Sequence, residues 1–345
     1  MPSGMESVDE DQSKKIGLAE VNTLRRAGLI SAVQYLDAAY RCREPEYWTR
    51  WALRALLALG VGHLLAGVIF FFAYNWDSLS PLAKFAILEG GIVISAVAAL
   101  IVNIDRVGGQ ALLIAASIVV GTLLAVIGQV YQTGADAYEL FAVWALLIIP
   151  WVVASRSAVH WLVWLVIVYA AFNLYAFQVL IPLEILSPME LGSLLGFAMA
   201  LVLAAREGAV FVGAGWLDFR WTRLVLVIAG LAVVFPSAVS YVMDWGSEPI
   251  GALTFIAMVV AIAIVYVRLL PDFAVPAITT GFVALFLMAV GWRVLAETIG
   301  FDWDSTIKTV SNFALLTLWC AAMTAGTVRF LATLRQRMES GGADA

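Results

Sequence analysis

The stretch WALRALLALGVGHLLAGVIFFFAY, residues 51–74, followed at once by Asn75-Trp76-Asp77, decides the fold. Only Arg54 at its start and His63 near its middle interrupt a run of apolar and aromatic side chains and glycines. About 20 such residues, each adding about 1.5 Å of helix, cross a hydrocarbon core roughly 30 Å thick. The polar turn after Tyr74 then sends the chain back, and the pattern repeats. Across 345 residues, 63% are hydrophobic and 13% charged, and the mean hydropathy is +0.94. Soluble domains hold roughly 45–50% apolar and about 25% charged residues, so this chain carries more oil than a water-facing fold can bury.

Working outward, about ten spans follow from the apolar runs: about 52–74, 82–104, 111–130, 139–154, 159–181, 189–205, 222–243, 251–269, 273–293 and 306–331. The fourth and sixth are short, and whether they cross fully is open. Arginine and lysine set the orientation. With a cytoplasmic N-terminus, all of the 20 basic residues except Lys84, Arg293 and Lys308 fall on the inner side. The outer turns are acidic instead, with Asp77, Asp136, Glu139, Glu184, Asp244, Glu248, Glu297, Asp302 and Asp304, and with Glu89 and Glu190 a little deeper. Miscounting by one span would scramble this asymmetry, so the expected fold is an all-α polytopic transmembrane helical bundle with both termini cytoplasmic.

Before the first span, residues 1–12 are acidic and poor in large apolar groups and read as a disordered tail. Residues 13–50 read as a small cytoplasmic helical hairpin. Ile16, Leu18, Val21 and Leu24 lie at helical spacing, Gly28 stops that helix, and Ser31 with Gln34 forms a capping box for a second. Residues 51–332 form the bundle and 333–345 a cytoplasmic tail. No signal-peptide pattern precedes Trp51, which leaves the first span as an uncleaved anchor.

Ionisable and amide groups within or at the ends of the spans are the candidates for function, because the membrane tolerates them only where they face a partner or a wet cavity. Glu89 lies about two turns inside the second span, and His63 on the first span would come alongside it. Asn75, Trp76 and Asp77 form the first outer turn, and Gln129, Tyr131, Gln132 and Asp136 close the third span around a break at Gly134. Together they are candidates for a polar pathway or a functional cluster, or for structural caps. Tyr169 and Asn173, four apart on the fifth span, read as polar glue between helices.

Other classes find no support. The net charge of −5 lacks the basic patch that a nucleic-acid partner needs. Two histidines at different depths make neither a zinc nor a haem site, and no cofactor or metal is expected. No phosphate loop, dinucleotide fingerprint or nucleophile elbow occurs, so no enzyme activity is expected. Cys42 and Cys320 read as packing residues.

Gly28-Leu29-Ile30 with Gln34, then Phe72 to Asp77 with Lys84, then Gly128-Gln129-Val130-Tyr131-Gln132-Thr133-Gly134-Ala135-Asp136 with Trp144, resemble a bacterial family of predicted membrane proteins, domain of unknown function 2157. The resemblance covers about residues 15–155 and implies a multi-pass protein of the bacterial inner membrane without naming a chemistry. Two functions stand ahead of a third, an envelope-facing enzyme acting on lipid-linked substrates with Asp77 or Asp136 as base, which lacks a paired nucleophile. One is a permease for a small polar or cationic solute, with Glu89, Gln129 and Asp136 in its path. The other is a structural or regulatory scaffold that meets a cytoplasmic or membrane protein partner through the hairpin, with the lipid bilayer around both.

Overall fold

The computed structural model describes residues 18–27, 29, 30, 32–42, 49, 51–53, 55, 56, 59, 60, 63, 67, 70, 74, 76–244, 248–299 and 306–341. The chain divides into two compact units, Met1–Ser80 and Pro81–Ala345. The expected tail over 1–12, and the expected roles of Gly28 and Ser31, lie outside the described residues.

In the first unit, α1 (Leu18–Arg26) and α2 (Ala32–Arg41) pair as a hairpin. Val21 is buried, the Tyr35 hydroxyl donates to Asn22 Oδ1 at 2.8 Å, and the Arg25 guanidinium stands 5.4 Å from the centre of the Tyr35 ring. The end of α1 is held by the Leu29 N–H, which donates five residues back to the Leu24 carbonyl, as in a Schellman closure. Each described position from 51 to 53 and at 55, 56, 59, 60, 63, 67, 70 and 74 is helical. A 3-10 turn, Trp76–Ser78, closes the unit.

In the second unit, nine helices among the described residues are long and apolar enough to cross a membrane. They are α3 (Pro81–Val102), α4 (Val107–Tyr131), α5 (Ala137–Ser155), α6 (Ala158–Tyr175), α7 (Pro188–Phe211), α8 (Arg220–Met243), α9 (Ile250–Ile264), α10 (Ala274–Ile299) and α11 (Thr306–Gly341). They match the second to tenth spans read from the sequence, and no strand occurs among the described residues. The protein is thus an all-α polytopic bundle. Two π turns, Ala176–Leu180 and Val265–Leu269, extend α6 and α9.

Three boundaries differ from expectation for physical reasons. The two short spans are full-length: α5 has 19 residues and α7 has 24, about 28 and 36 Å. Apolarity alone ends the latter at 205, before Arg206 and Glu207, but the helix runs on because both charges find partners. At its other end Ser187 and Glu190 form a reciprocal capping box, with Glu190 Oε2 accepting from the Ser187 N–H at 2.7 Å. This makes Glu190 a cap rather than a deeper acid. Finally, α11 continues to Gly341, through most of the expected tail, because Leu334, Arg335, Gln336, Arg337 and Met338 are strong helix formers.

Packing follows chain order. Helices α3 and α4, α5 and α6, α7 and α8, and α10 and α11 pair as neighbours, while α9 inserts against α7, α8 and α10. The main core lies among these last helices, where Leu226, Val227, Leu231, Val234 and Phe255 are nearly inaccessible. Two tryptophans lie across glycines elsewhere in the bundle, Trp144 of α5 on α4 and Trp319 of α11 on α10. A Cβ on Gly121 would stand 2.4 Å from the Trp144 ring, and one on Gly291 would stand 2.0 Å from Trp319. Each indole N–H reaches a carbonyl of the facing helix, Ser117 O at 2.7 Å and Leu287 O at 3.1 Å.

Candidate functional site

The short links place successive helices antiparallel, so the starts of α4, α6, α8 and α10 share one face of the bundle. Arg106, Arg156, Arg206, Arg220, Arg223 and Arg268 all lie at that face. Here the structure gathers its largest set of interacting charges. Arg206 and Glu207 come from the last turns of α7, Arg220, Thr222 and Arg223 from the first turn of α8, Tyr266 from the π turn after α9, and Asp272 from the link into α10.

Arg206 is the most buried member, with a side chain 1% exposed. Its Nη1 donates to Glu207 Oε1 at 2.8 Å, its Nη2 to the Leu217 carbonyl at 2.7 Å and the Phe219 carbonyl at 3.2 Å, and its Nε to Thr222 Oγ1 at 3.3 Å. Those carbonyls belong to the α7–α8 link, where a 3-10 turn, Gly215–Leu217, leaves backbone acceptors without helix partners. One guanidinium, with five donors in a fixed fork, suits that task.

Glu207 is the hub. Oε1 accepts from Arg206, from Arg223 Nε at 2.8 Å and from the Tyr266 hydroxyl at 2.8 Å, and Oε2 accepts from Arg223 Nη2 at 3.1 Å. Arg223 also donates through Nη1 to Asp272 Oδ2 at 3.2 Å and stands 5.2 Å from the centre of the Tyr266 ring. Asp272 is gripped on its other side by Arg220, at 2.7 and 3.2 Å, and its Oδ1 accepts from the Ala274 N–H at 3.0 Å, capping α10. The π turn makes this reach possible: the Tyr266 carbonyl, released from regular helical pairing, accepts from the Asp272 N–H at 3.1 Å. Burial pushes the Asp272 carboxyl up, but the Arg220 hydrogen bond, the Ala274 N–H, the Arg220 charge and the Arg223 hydrogen bond outweigh it and hold the group below the ordinary carboxylate range.

A second polar knot joins α4, α5 and α6. His160 is fully buried, with Nε2 2.9 Å from Ser117 Oγ and Nδ1 3.0 Å from Ser155 Oγ. The Ser155 hydroxyl gives its proton to the Val152 carbonyl at 3.0 Å. It therefore accepts from His160 Nδ1–H, while Ser117 Oγ shares a hydrogen bond with Nε2. Gln110 adds a bond to the Ser155 carbonyl at 3.2 Å.

The residues singled out by sequence lie elsewhere. Glu89 is exposed on α3. His63 is exposed in the first unit and donates from Nδ1 to the Leu59 carbonyl at 2.8 Å. Asn75 lies outside the described residues, Trp76 and Asp77 form the 3-10 turn, and Asp77 is exposed. Gln129, Tyr131, Gln132 and Asp136 are all exposed at the end of α4 and the start of α5. Tyr131 stacks on Phe85 with ring centres 5.9 Å apart. The helix ends because Gln132 takes a left-handed conformation, φ 45°, and its N–H returns to the Gly128 carbonyl, with Gly134 at φ 65° two residues on. Asp136 stands at the N-cap of α5 without a side-chain cap bond. Asn173 donates to Tyr169 on its own helix at 3.4 Å, a bond within α6 rather than between helices.

Chemically, the charged face is a clasp. Its carboxylates and guanidinium groups meet one another and loop carbonyls, and among the described residues no group of three His, Cys, Asp or Glu could hold a metal ion. Among the described residues, cavities of about 280 to 430 Å³ against the helices are lined almost wholly by apolar groups. Among known families, residues 22–161 match the one described as Predicted membrane protein (DUF2157). That segment reaches from α1 to the first turn of α6 and includes His160, while the clasp lies beyond it. No curated protein and no solved structure matches the chain.

Proposed function

From the premise of a multi-pass membrane protein whose residues 22–161 carry a predicted-membrane-protein domain, we propose that it is a structural or regulatory component of the bacterial inner membrane. In this reading the α3–α11 bundle is a rigid platform, its arginine-rich face is cytoplasmic, and the α1–α2 hairpin presents a docking surface to a protein partner. The observation that carries it is the use made of charge. Arg206, Glu207, Arg223 and Asp272 are spent on one another and on the α7–α8 link. A transport path needs polar groups turned to a wet cavity, whereas the cavities described are apolar. Leu29, 70% exposed at the tip of the hairpin, supplies an apolar contact suited to a partner.

The permease reading keeps one specific support, the Glu89 carboxylate on the exposed flank of α3. Two variants separate the readings. On blue native gels of solubilised membranes the wild type is expected to run in a high-mass complex, which deletion of residues 13–43 should abolish while the remaining chain stays folded and inserted, and which Glu89→Gln should leave intact. Solute uptake by proteoliposomes that disappears in Glu89→Gln, with the complex indifferent to the deletion, overturns the scaffold reading.

A further inference from the structure

The largest charged clasp lies beside an apolar groove of about 420 Å³ between α9, α10 and α11. We propose that this groove holds one acyl chain of an anionic glycerophospholipid, with its headgroup at Arg268 on the arginine-rich face.

Depth is the first argument. On α10 the lining runs from Pro276 to Leu287, about 16 Å along the helix axis. That is half of a hydrocarbon core of roughly 30 Å, the depth of a single leaflet. The deep end is fixed at Leu287, whose carbonyl accepts the Trp319 indole N–H from α11. Wall chemistry is the second. Thr279 and Thr280 turn their hydroxyls into their own helix, to the Val275 and Pro276 carbonyls at 2.9 and 2.7 Å, so they face the groove with methyl groups satisfied by hydrocarbon.

Charge at the mouth selects the headgroup. Val267 lines the shallow end, and the residue that follows it in sequence, Arg268, is exposed. The nearest described acid in the chain, Asp272, is occupied by Arg220, Arg223 and the Ala274 N–H. A basic mouth over an apolar cleft between helices is the arrangement that favours an anionic phosphate over a zwitterionic headgroup. Phe330, 55% exposed on α11, leaves the cleft open at its side to a chain entering from the bilayer.

Native mass spectrometry of the full chain, released from detergent with dioleoyl phosphatidylglycerol or dioleoyl phosphatidylcholine, tests both halves. The lipids share their chains and differ in charge. The wild type is expected to retain one phosphatidylglycerol, and Arg268→Gln to weaken that adduct about fivefold, the effect of one basic group near a charged headgroup. Gly326 lines the groove and a Cβ there meets nothing within 4 Å. Gly326→Leu therefore fills the space without pressing on backbone and is expected to lose the retained lipid with an unchanged melting temperature. Equal retention of the two lipids by the wild type, an undiminished adduct in folded Gly326→Leu, or a dimer of this chain that Gly326→Leu dissociates each overturns the proposal.

Discussion

Removing the charge of Glu207 while keeping its size tests the clasp most sharply. In Glu207→Gln, Arg206 loses the carboxylate at 2.8 Å and keeps only Asp218 at 3.9 Å, an acid 65% exposed. Arg223, 17% exposed, keeps Asp272 at 3.2 Å. Breaking a buried ion pair from one side costs about 3–5 kcal/mol, because the remaining charge is left without compensation. Since Arg223 retains one anion and Arg206 its loop carbonyls, the lower end applies, about 3 kcal/mol. At about 2.1 cal/mol/K of unfolding entropy per residue, a chain of 345 residues shifts its melting temperature by about 1.4 °C per kcal/mol, which sets an expected drop of about 4 °C. Asp272→Asn is the internal comparison. It frees Arg220, whose side chain is 63% exposed and can turn to solvent, and leaves Arg223 its bidentate Glu207. Asp272 is itself 6% exposed, but the arginines it leaves are solvated or still paired, so the expected cost is about 1–2 kcal/mol, the low part of the range for a buried group that loses a partner. Thermal unfolding of the purified protein, followed by loss of the monodisperse peak in size-exclusion chromatography, reads both variants in one detergent. If Glu207→Gln melts no lower than Asp272→Asn, the ranking built on burial is wrong.

The remaining expectations concern neighbouring features. The Asp272 carboxyl is held below its ordinary range, so its contribution is fully present above the unfolded value of about 3.9 and is lost as pH falls through the lower folded value. Melting temperature should therefore change little on its account from pH 8 to 5 and fall more steeply below about 4; Asp272→Asn should flatten that acid limb, and an unchanged limb would contradict the assignment. Gly121→Ala places a methyl group 2.4 Å from the Trp144 ring and should cost about 1–3 kcal/mol by overpacking. Gly90→Ala, with nothing within 4 Å, should be neutral or gain up to about 1 kcal/mol in helix propensity; the two melting curves decide. Ser117→Ala leaves buried His160 Nε2 without its hydrogen-bond partner and should cost about 1–3 kcal/mol, with Ser117→Thr losing less if the hydroxyl is what matters.

Much of the fold was legible because hydropathy is a local signal. Each span from Pro81 onward can be found from its own composition, and Trp144, Trp319 and the glycines facing them add detail without changing the architecture. The clasp was hidden for the opposite reason. Arg206, Arg220 and Arg223 carry topological information as arginines, and the pairing of Arg220 and Arg223 with Asp272 across 52 and 49 residues leaves no trace in a single sequence. A signal did exist: Glu207 and Asp272, like Asp105 and Asp218, are acids among the arginines of that face, and carboxylates placed there call for partners. The Ser187-Pro188-Met189-Glu190 cap was equally readable, since a serine followed three residues later by glutamate is a helix start. Glu89 attracted attention by depth alone, and depth says nothing about which way a helix turns the side chain.

The account depends above all on arginine-bearing links sharing one side of the membrane and acidic links the other. Single cysteines at Asp218, in the link beside the clasp, and at Asp136, in the exposed turn before α5, test this directly once Cys42 and Cys320 are replaced by serine. With a membrane-impermeant maleimide on intact cells, Asp136→Cys should label at once and Asp218→Cys only after permeabilisation. Labelling of both positions from the same side would contradict the bundle described here.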